Sequence, residues 1–164
     1  MKKLVSTLLV MMCAISATAQ TADRGGAHGS FSAETGCQIA FTKPQYNALT
    51  VTANFGYHFD DKWSIHLPIS GNTTLYGDKR YDNQLLIGLA PEYAFGRKEQ
   101  IYWSVSPKIQ ASCLGDWGYM LYEVGVKCHM GKSPYVGLGI QFQDSYKREL
   151  GYSCGLYVSF GFRL

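Results

Sequence analysis

Two histidines and two serines are the first residues whose types and spacing could support catalysis. His58 and His66 fall on the polar face of neighbouring predicted strands, with Ser64 and Ser70 nearby. A serine beside a histidine can act as a nucleophile with its general base. Hydrogen bonding inside a polar interior is the alternative, and preferred, interpretation. Two histidines without a third ligand do not make a zinc site, and the sequence indicates no cofactor.

Six charged residues share the polar face of the predicted strands. Buried charges must be paired, so these residues should contact one another if that face is enclosed. A tight turn at Gly115 and Asp116 makes the numbers of opposed residues sum to 231, which places Lys108 opposite Glu123. We predict an ion pair there within a wider polar network, and a conduit or titrating gate is the functional alternative. The six residues are Glu34, Glu92, Lys108, Glu123, Lys127 and Arg163.

Four of the five cysteines, Cys37, Cys113, Cys128 and Cys154, fall on the apolar face. Cys37 and Cys154 belong to the first and last strands, which would be neighbours in a closed barrel, so a disulfide between them is one interpretation. Opposed residues on the two strands that carry Cys113 and Cys128 have numbers that sum to 231. The numbers of Cys113 and Cys128 do not, so this register places the two cysteines far apart. Four small apolar side chains without disulfides is the preferred interpretation.

The elements that must position these residues are β-strands. From residue 30 to residue 164, apolar and polar residues alternate with a period of two in eight runs separated by turn-rich segments. The chain is 46% hydrophobic, 14% aromatic and 16% charged, which excludes a disordered chain or a coiled coil. Short connections predict an antiparallel meander. The formal charge of +3 falls to about +1 without Lys2 and Lys3 of the N-terminal targeting segment, which gives no electrostatic argument for binding nucleic acid.

The N-terminal segment has the pattern of a secretory signal. Lys2 and Lys3 precede an apolar run, and Ala17-Thr18-Ala19 provides small residues before Gln20. We therefore expect a signal peptide over 1–19, a short periplasmic tail over 20–29 and a barrel domain over 30–164. A lipoprotein would carry its lipid on Cys13, but the methionines before it are not the small residues that such a site needs.

The compositions of the two faces indicate which one contacts lipid. The apolar face carries no charge, and the polar face is mostly Gly, Ser, Thr, Gln and Asn, unlike a water-facing surface, which is about 25–35% charged. Most charges fall in the connections, as a lipid-facing band requires. Runs of about 11–14 residues also exceed the ~5–6 of soluble sheets and can cross a bilayer. A soluble sandwich or lipocalin-like barrel, with the faces reversed, is the alternative.

Aromatic residues gather near both ends of the predicted strands, as in the interfacial girdles of membrane barrels. One group is Phe31, Phe59, Trp63, Phe95, Trp103 and Phe162, and the other is Phe41, Tyr46, Tyr76, Tyr81, Trp117, Tyr122, Phe142 and Tyr146.

The chain resembles the small eight-stranded outer-membrane barrels of Gram-negative bacteria, the OmpX/OmpA-like class, over residues 30–164. The most specific element is the last strand, which ends in Leu164 where the family usually has Phe. The resemblance implies an up-and-down transmembrane barrel with both termini in the periplasm, and a last strand that serves as the signal for the barrel-assembly machinery. Its apolar residues at every second position are Tyr152, Cys154, Leu156, Val158, Phe160, Phe162 and Leu164.

An eight-stranded barrel has an interior that side chains can fill, so we expect a structural or envelope-integrity protein rather than an open pore. Inward glycines should make room for inward tyrosines. The alternatives are an enzyme that modifies the acyl chains of lipid A or phospholipid, and an adhesion or small-solute-binding protein. We expect a monomer whose partners are outer-membrane lipids and the assembly machinery. The loop residues Lys79, Arg80, Lys147 and Arg148 could contact lipopolysaccharide phosphates, or be simply solvated.

Overall fold

The computed structural model describes residues 29–43, 46–77, 84–98, 100–113, 118–131, 133–145 and 151–164. The predicted signal segment and almost all of the predicted tail therefore lie outside the described residues. None of the described residues forms a helix long and apolar enough to cross a membrane.

Eight antiparallel strands follow one another in chain order and close into a barrel, in which β1 pairs with both β2 and β8. The prediction of an eight-stranded antiparallel barrel is confirmed. The strands are β1 (Ser30–Lys43), β2 (Tyr46–His58), β3 (Trp63–Gly77), β4 (Gln84–Lys98), β5 (Ile101–Ser112), β6 (Tyr119–Met130), β7 (Pro134–Ser145) and β8 (Tyr152–Arg163).

The alternation of polar and apolar residues along each strand places polar side chains inside the barrel and apolar side chains on its outer surface. Side chains such as Ile140 on β7 and Leu156 on β8 point outward and keep 59% and 58% of their surface exposed. Polar residues of the opposite parity, such as Gln38, Ser104 and Gln110, are buried in the lumen. The polar face is thus the interior, so the lipocalin-like alternative with an apolar interior is excluded for the described part of the chain.

Glycines in the lumen make room for tyrosine rings. A Cβ added at Gly139 would lie 2.5 Å from Cζ of Tyr157, and one added at Gly161 would lie 2.5 Å from Cζ of Tyr135. Real Cβ atoms essentially never approach a heavy atom that closely, so these strands can pack against the rings only where the side chain is absent.

Cys37 and Cys154 are not neighbours. The β1–β8 register places Cys37 opposite Phe160 and Cys154 opposite Lys43, and all four cysteines are free. The disulfide interpretation is therefore wrong. It failed because no turn connects the first and last strands, so their stagger is set by the closure of the whole barrel and not by a local count.

Three prolines interrupt the hydrogen-bonded ladders of β3, β4 and β5. The β3–β4 ladder has no pairs between His66–Ala90 and Ile69–Ile87, and Pro68 lies in this gap. The β4–β5 ladder has no pairs between Leu89–Ile109 and Tyr93–Val105, where Pro91 and Pro107 lie. Proline cannot donate to a ladder, so these strands lose inter-strand hydrogen bonds at one level of the barrel.

This gap predicts uneven amide exchange. Backbone amides flanking it, such as those of Leu89 and Ala90, are expected to exchange faster than those in the uninterrupted β6–β7 ladder, such as that of Gly139. Hydrogen exchange of the refolded barrel, resolved by NMR or by mass spectrometry of peptides, would measure this. Equal protection at both places would show that the missing pairs do not weaken the sheet.

Candidate functional site

The half of the lumen nearer the end where β1 begins and β8 finishes holds four charges that converge from four strands. We call this half the lower lumen and the opposite half the upper lumen. Arg163 Nη2 lies 2.5 Å from Glu34 Oε1 and 3.1 Å from Glu92 Oε1. Lys127 Nζ lies 2.8 Å from Glu92 Oε2 and 3.3 Å from Glu34 Oε2. Each carboxylate therefore meets both cations, and the charges balance. We call these residues the four-charge cluster.

Aromatic and amide groups surround the four-charge cluster. Asn54 donates its amide to Glu34 at 3.3 Å, and Arg163 donates to the Tyr102 hydroxyl. The Tyr102 ring stacks on His129 with centroids 4.3 Å apart. The Lys127 ammonium lies 5.1 Å from the centroid of Tyr135. These contacts hold the cations in place, since a ring face attracts a positive charge.

A second, smaller group of charges lies higher in the lumen. Lys108 and Glu123 face each other across β5 and β6, in the register of 231 expected from the turn, and form an ion pair. Gln38 donates to Glu123 and, at 3.3 Å, to Gln141. We call this the Lys108–Glu123 pair. The six lumen charges predicted from the sequence thus form two groups rather than one continuous network.

Lys108→Ala is expected to lower the free energy of unfolding by about 1–3 kcal/mol, because it leaves the buried Glu123 carboxylate without its cation. Urea unfolding of the refolded barrel, followed by tryptophan fluorescence, would measure the change. Lys62→Ala is the matched control, since Lys62 lies exposed in the turn between β2 and β3. An unchanged unfolding midpoint for Lys108→Ala would contradict a stabilising pair.

His58 and His66 each lie beside a serine, but only one of these serines is among the two expected from the sequence. His66 Nε2 and Ser64 Oγ are hydrogen-bonded at 3.0 Å, as the spacing allows, whereas Ser70 bonds instead to Thr52 at 2.9 Å. His58 bonds to Ser32 at 2.8 Å. Only 1% of the His66 surface is exposed. Both residues of the Ser64–His66 pair are therefore buried.

Ser104, His129 and Glu92 form a third grouping, which was not predicted from the sequence. Ser104 Oγ lies 3.0 Å from His129 Nε2, and Glu92 Oε1 lies 3.9 Å from the same nitrogen. A catalytic triad needs the carboxylate on the other ring nitrogen, so that the histidine can relay a proton. The grouping is therefore a polar contact and lacks triad geometry. Register alone could have indicated it, because Ser104 opposes Lys127, two residues from His129.

One trio of buried residues has the donor types of a metal site. Ligand atoms of Glu34, His66 and Glu92 lie within 4.8 Å of one another. Both carboxylates, however, already bind Lys127 and Arg163, whose two positive charges balance them. A divalent cation would have to displace those internal cations, so the two glutamates of the trio are better described as members of the four-charge cluster, with His66 beside them.

The upper lumen contains an apolar group that was not predicted from the sequence. Ala48, Leu86, Tyr119 and Leu121 are buried together on the inward face. The available signal was their position in the alternation, since each lies at an inward position of a strand whose other inward residues are mostly polar. An apolar residue at an inward position of a narrow barrel must fill space. Together with the buried Gln110, this group fills the lumen at the end opposite the four-charge cluster.

The remaining predicted site residues fall into two sets. Lys79, Arg80, Lys147 and Arg148 lie outside the described residues. Leu164 follows the last strand and donates its backbone amide to the Ala33 carbonyl at 2.8 Å. The other apolar residues of the last strand point outward on β8, and they are Tyr152, Cys154, Leu156, Val158, Phe160 and Phe162.

Two solved structures share this arrangement of strands. The N-terminal β-barrel domain of Pseudomonas aeruginosa OprF is 15% identical with a TM-score of 0.50, and the match covers 85% of this chain and all of that domain. Neisserial surface protein A (NspA) is 12% identical with a TM-score of 0.50, covering 86% of this chain and 99% of the other. The chain has the fold of these small eight-stranded barrels. No protein-family model and no curated protein sequence matches it.

The small-barrel fold explains why the functional candidates lie in the lumen. Eight strands enclose a space about as wide as opposing side chains, so inward groups from strands far apart in sequence meet directly. Glu34 on β1 and Glu92 on β4 come within reach of the same two cations in this way. The result is a lumen filled by ion pairs, amides and rings.

Proposed function

We propose that the protein is an integral outer-membrane β-barrel with a side-chain-filled polar interior and a structural, envelope-integrity role. The observation that carries this proposal is the outward face of the barrel, where large apolar side chains such as Ile140 and Leu156 stay exposed around a closed sheet. Soluble monomers rarely expose contiguous apolar surface on this scale. A closed barrel also leaves no strand at an unpaired sheet edge, as hydrocarbon requires.

Exposed aromatic residues at both ends of the barrel support the membrane assignment. Phe31, Trp63 and Trp103 lie at the end where β1 begins, and Phe41 and Tyr76 lie at the end where β1 and β3 finish. Rings at two levels suit the two membrane interfaces. With both termini in the periplasm, the four-charge cluster lies in the periplasmic half.

The proposed role is non-catalytic and does not include conduction. Each Ser–His pair with His66 or His129 is buried inside the lumen. The four-charge cluster fills the lower lumen, and the Lys108–Glu123 pair with the apolar group fills the upper lumen. Lipids surround the barrel, lipopolysaccharide contacts the basic loop residues, and the outward residues of β8 serve the assembly machinery.

The first test is heat-modifiable mobility on a gel after the chain without residues 1–19 is refolded into detergent micelles or lipid bilayers. We expect the unheated protein to migrate faster than the boiled protein, and the strands to resist proteolysis. A protein that is soluble without detergent and shows no mobility shift would contradict the membrane assignment.

An acyl-release assay would test the non-catalytic assignment. Refolded protein is expected to release no fatty acid from lipid A or phospholipid above the background of a His58→Ala/His66→Ala variant. Release that depends on these two histidines would establish the enzymatic alternative.

A further inference from the structure

Between the four-charge cluster and the Lys108–Glu123 pair lies a cavity of about 50 Å³. A buried water needs roughly 10–15 Å³ of such space, so the cavity has room for about three to five waters, or for one halide ion with part of its hydration shell. A cavity of this size in the middle of an otherwise filled lumen needs an occupant suited to its lining.

The lining is rich in positive charge and in hydroxyl groups. Lys108 and Lys127 both border the cavity, and so do Tyr135 and Tyr157. None of the three lumen glutamates is among the lining residues, although each contacts one of the two lysines. Both lysines therefore border the space, while the glutamates that neutralise them do not.

Lys108 has donor capacity to spare. A lysine ammonium carries three N–H donors, and within the described residues Lys108 meets a single carboxylate, that of Glu123. Lys127 meets two carboxylates and a ring face. The unused donors of Lys108 need an acceptor, and the cavity it borders is where one could be placed.

A neighbouring amide indicates water beside that acceptor. Asn54 lines the cavity, its Nδ2 is used by Glu34, and its buried Oδ1 has no partner among the described residues. A buried carbonyl oxygen is costly to leave without a donor. A water in the cavity could donate one hydrogen to Asn54 and the other to an anion.

We propose that this cavity is a binding site for a small inorganic anion of halide size, held by the ammonium groups of Lys108 and Lys127 and by hydroxyl donors of the lining. This site goes beyond the structural role proposed above and does not depend on it, because the lining would be the same in a barrel that was not in a membrane.

Bromide is the probe for the experiment. Crystals of the refolded barrel grown in sodium bromide, with diffraction recorded at the bromine absorption edge, are expected to show an anomalous peak within hydrogen-bond distance of Lys108 Nζ. The peak is expected to vanish in Lys108→Met and to persist in Lys62→Met. Water density without anomalous signal in the wild-type cavity, or a peak that survives in Lys108→Met, would overturn the proposal.

A second measurement tests the site in solution and does not need crystals. The thermal unfolding midpoint of the wild-type barrel should rise with bromide at constant ionic strength, with gluconate as the balancing anion, because a ligand that binds only the folded state stabilises it. The double variant Lys108→Met/Glu123→Gln removes both charges of the pair, so it should fold without a buried orphan charge and show no bromide-dependent rise. Equal rises in both proteins would also overturn the proposal.

Discussion

Arg163→Met is expected to lower the free energy of unfolding by about 3–5 kcal/mol, because removing one partner from a buried ionic group leaves uncompensated charge behind. Arg163 contacts both Glu34 and Glu92, and each of these glutamates is only 2% exposed. After the substitution, Lys127 alone faces two buried carboxylates. Urea unfolding of the barrel refolded in lipid vesicles would measure the change.

Two further variants separate the charge effect from the loss of packing by a long side chain. Arg163→Met/Glu34→Gln restores a one-to-one balance between Lys127 and Glu92, so it should recover part of the stability lost in Arg163→Met. Glu34→Gln alone should be destabilised, since it leaves Arg163 with only Glu92. If the losses of the two single variants simply add in the double variant, then Arg163 and Glu34 are not energetically coupled.

The features that were predictable from the sequence are those set by local periodicity. Eight strands and their inward and outward faces follow from alternation, because a strand places successive side chains on opposite sides. The pairing of Lys108 with Glu123 follows from one short turn, because a tight hairpin fixes the register of the two strands it joins. Both inferences need only neighbouring stretches of chain.

The features that were not predictable depend on strands that are distant in sequence. The meeting of Glu34 with Arg163 requires the stagger between β1 and β8, which no turn determines and which also separates Cys37 from Cys154. The division of the lumen charges into two groups likewise depends on how far the strands tilt, since the tilt decides which inward side chains share a level. The alternation of polar and apolar residues along a strand identifies which side chains point inward, but not how far along the barrel axis each one lies.

The ladder gap around Pro68, Pro91 and Pro107 is an intermediate case. Proline inside a strand is visible in the sequence and predicts a missing donor. The three prolines come from three consecutive strands and interrupt adjacent ladders. This becomes visible only when the registers of β3, β4 and β5 are known together. The closed barrel tolerates the gap, and Ser106 donates its hydroxyl to the Pro91 carbonyl at 3.1 Å, which satisfies one acceptor there.

Ile140→Arg tests whether the outward face contacts lipid. Ile140 lies near the middle of β7, and its register partners Val124 and Leu156 are also outward and exposed. At the midplane of a bilayer, an arginine on the lipid face of a barrel costs about 2–4 kcal/mol. On a water-facing surface, the same substitution is usually worth less than about 0.5 kcal/mol in either direction.

The matched control is Asp144→Arg, four residues further along the same strand. Asp144 is exposed on the same outward face and lies one residue before the end of β7. Near an interface, the cost of arginine falls to about 0–1 kcal/mol. Unfolding free energies of both variants in lipid vesicles should therefore differ by roughly 2 kcal/mol or more, with Ile140→Arg the less stable. A small and equal effect at both positions would indicate that water, and not hydrocarbon, surrounds the middle of the barrel.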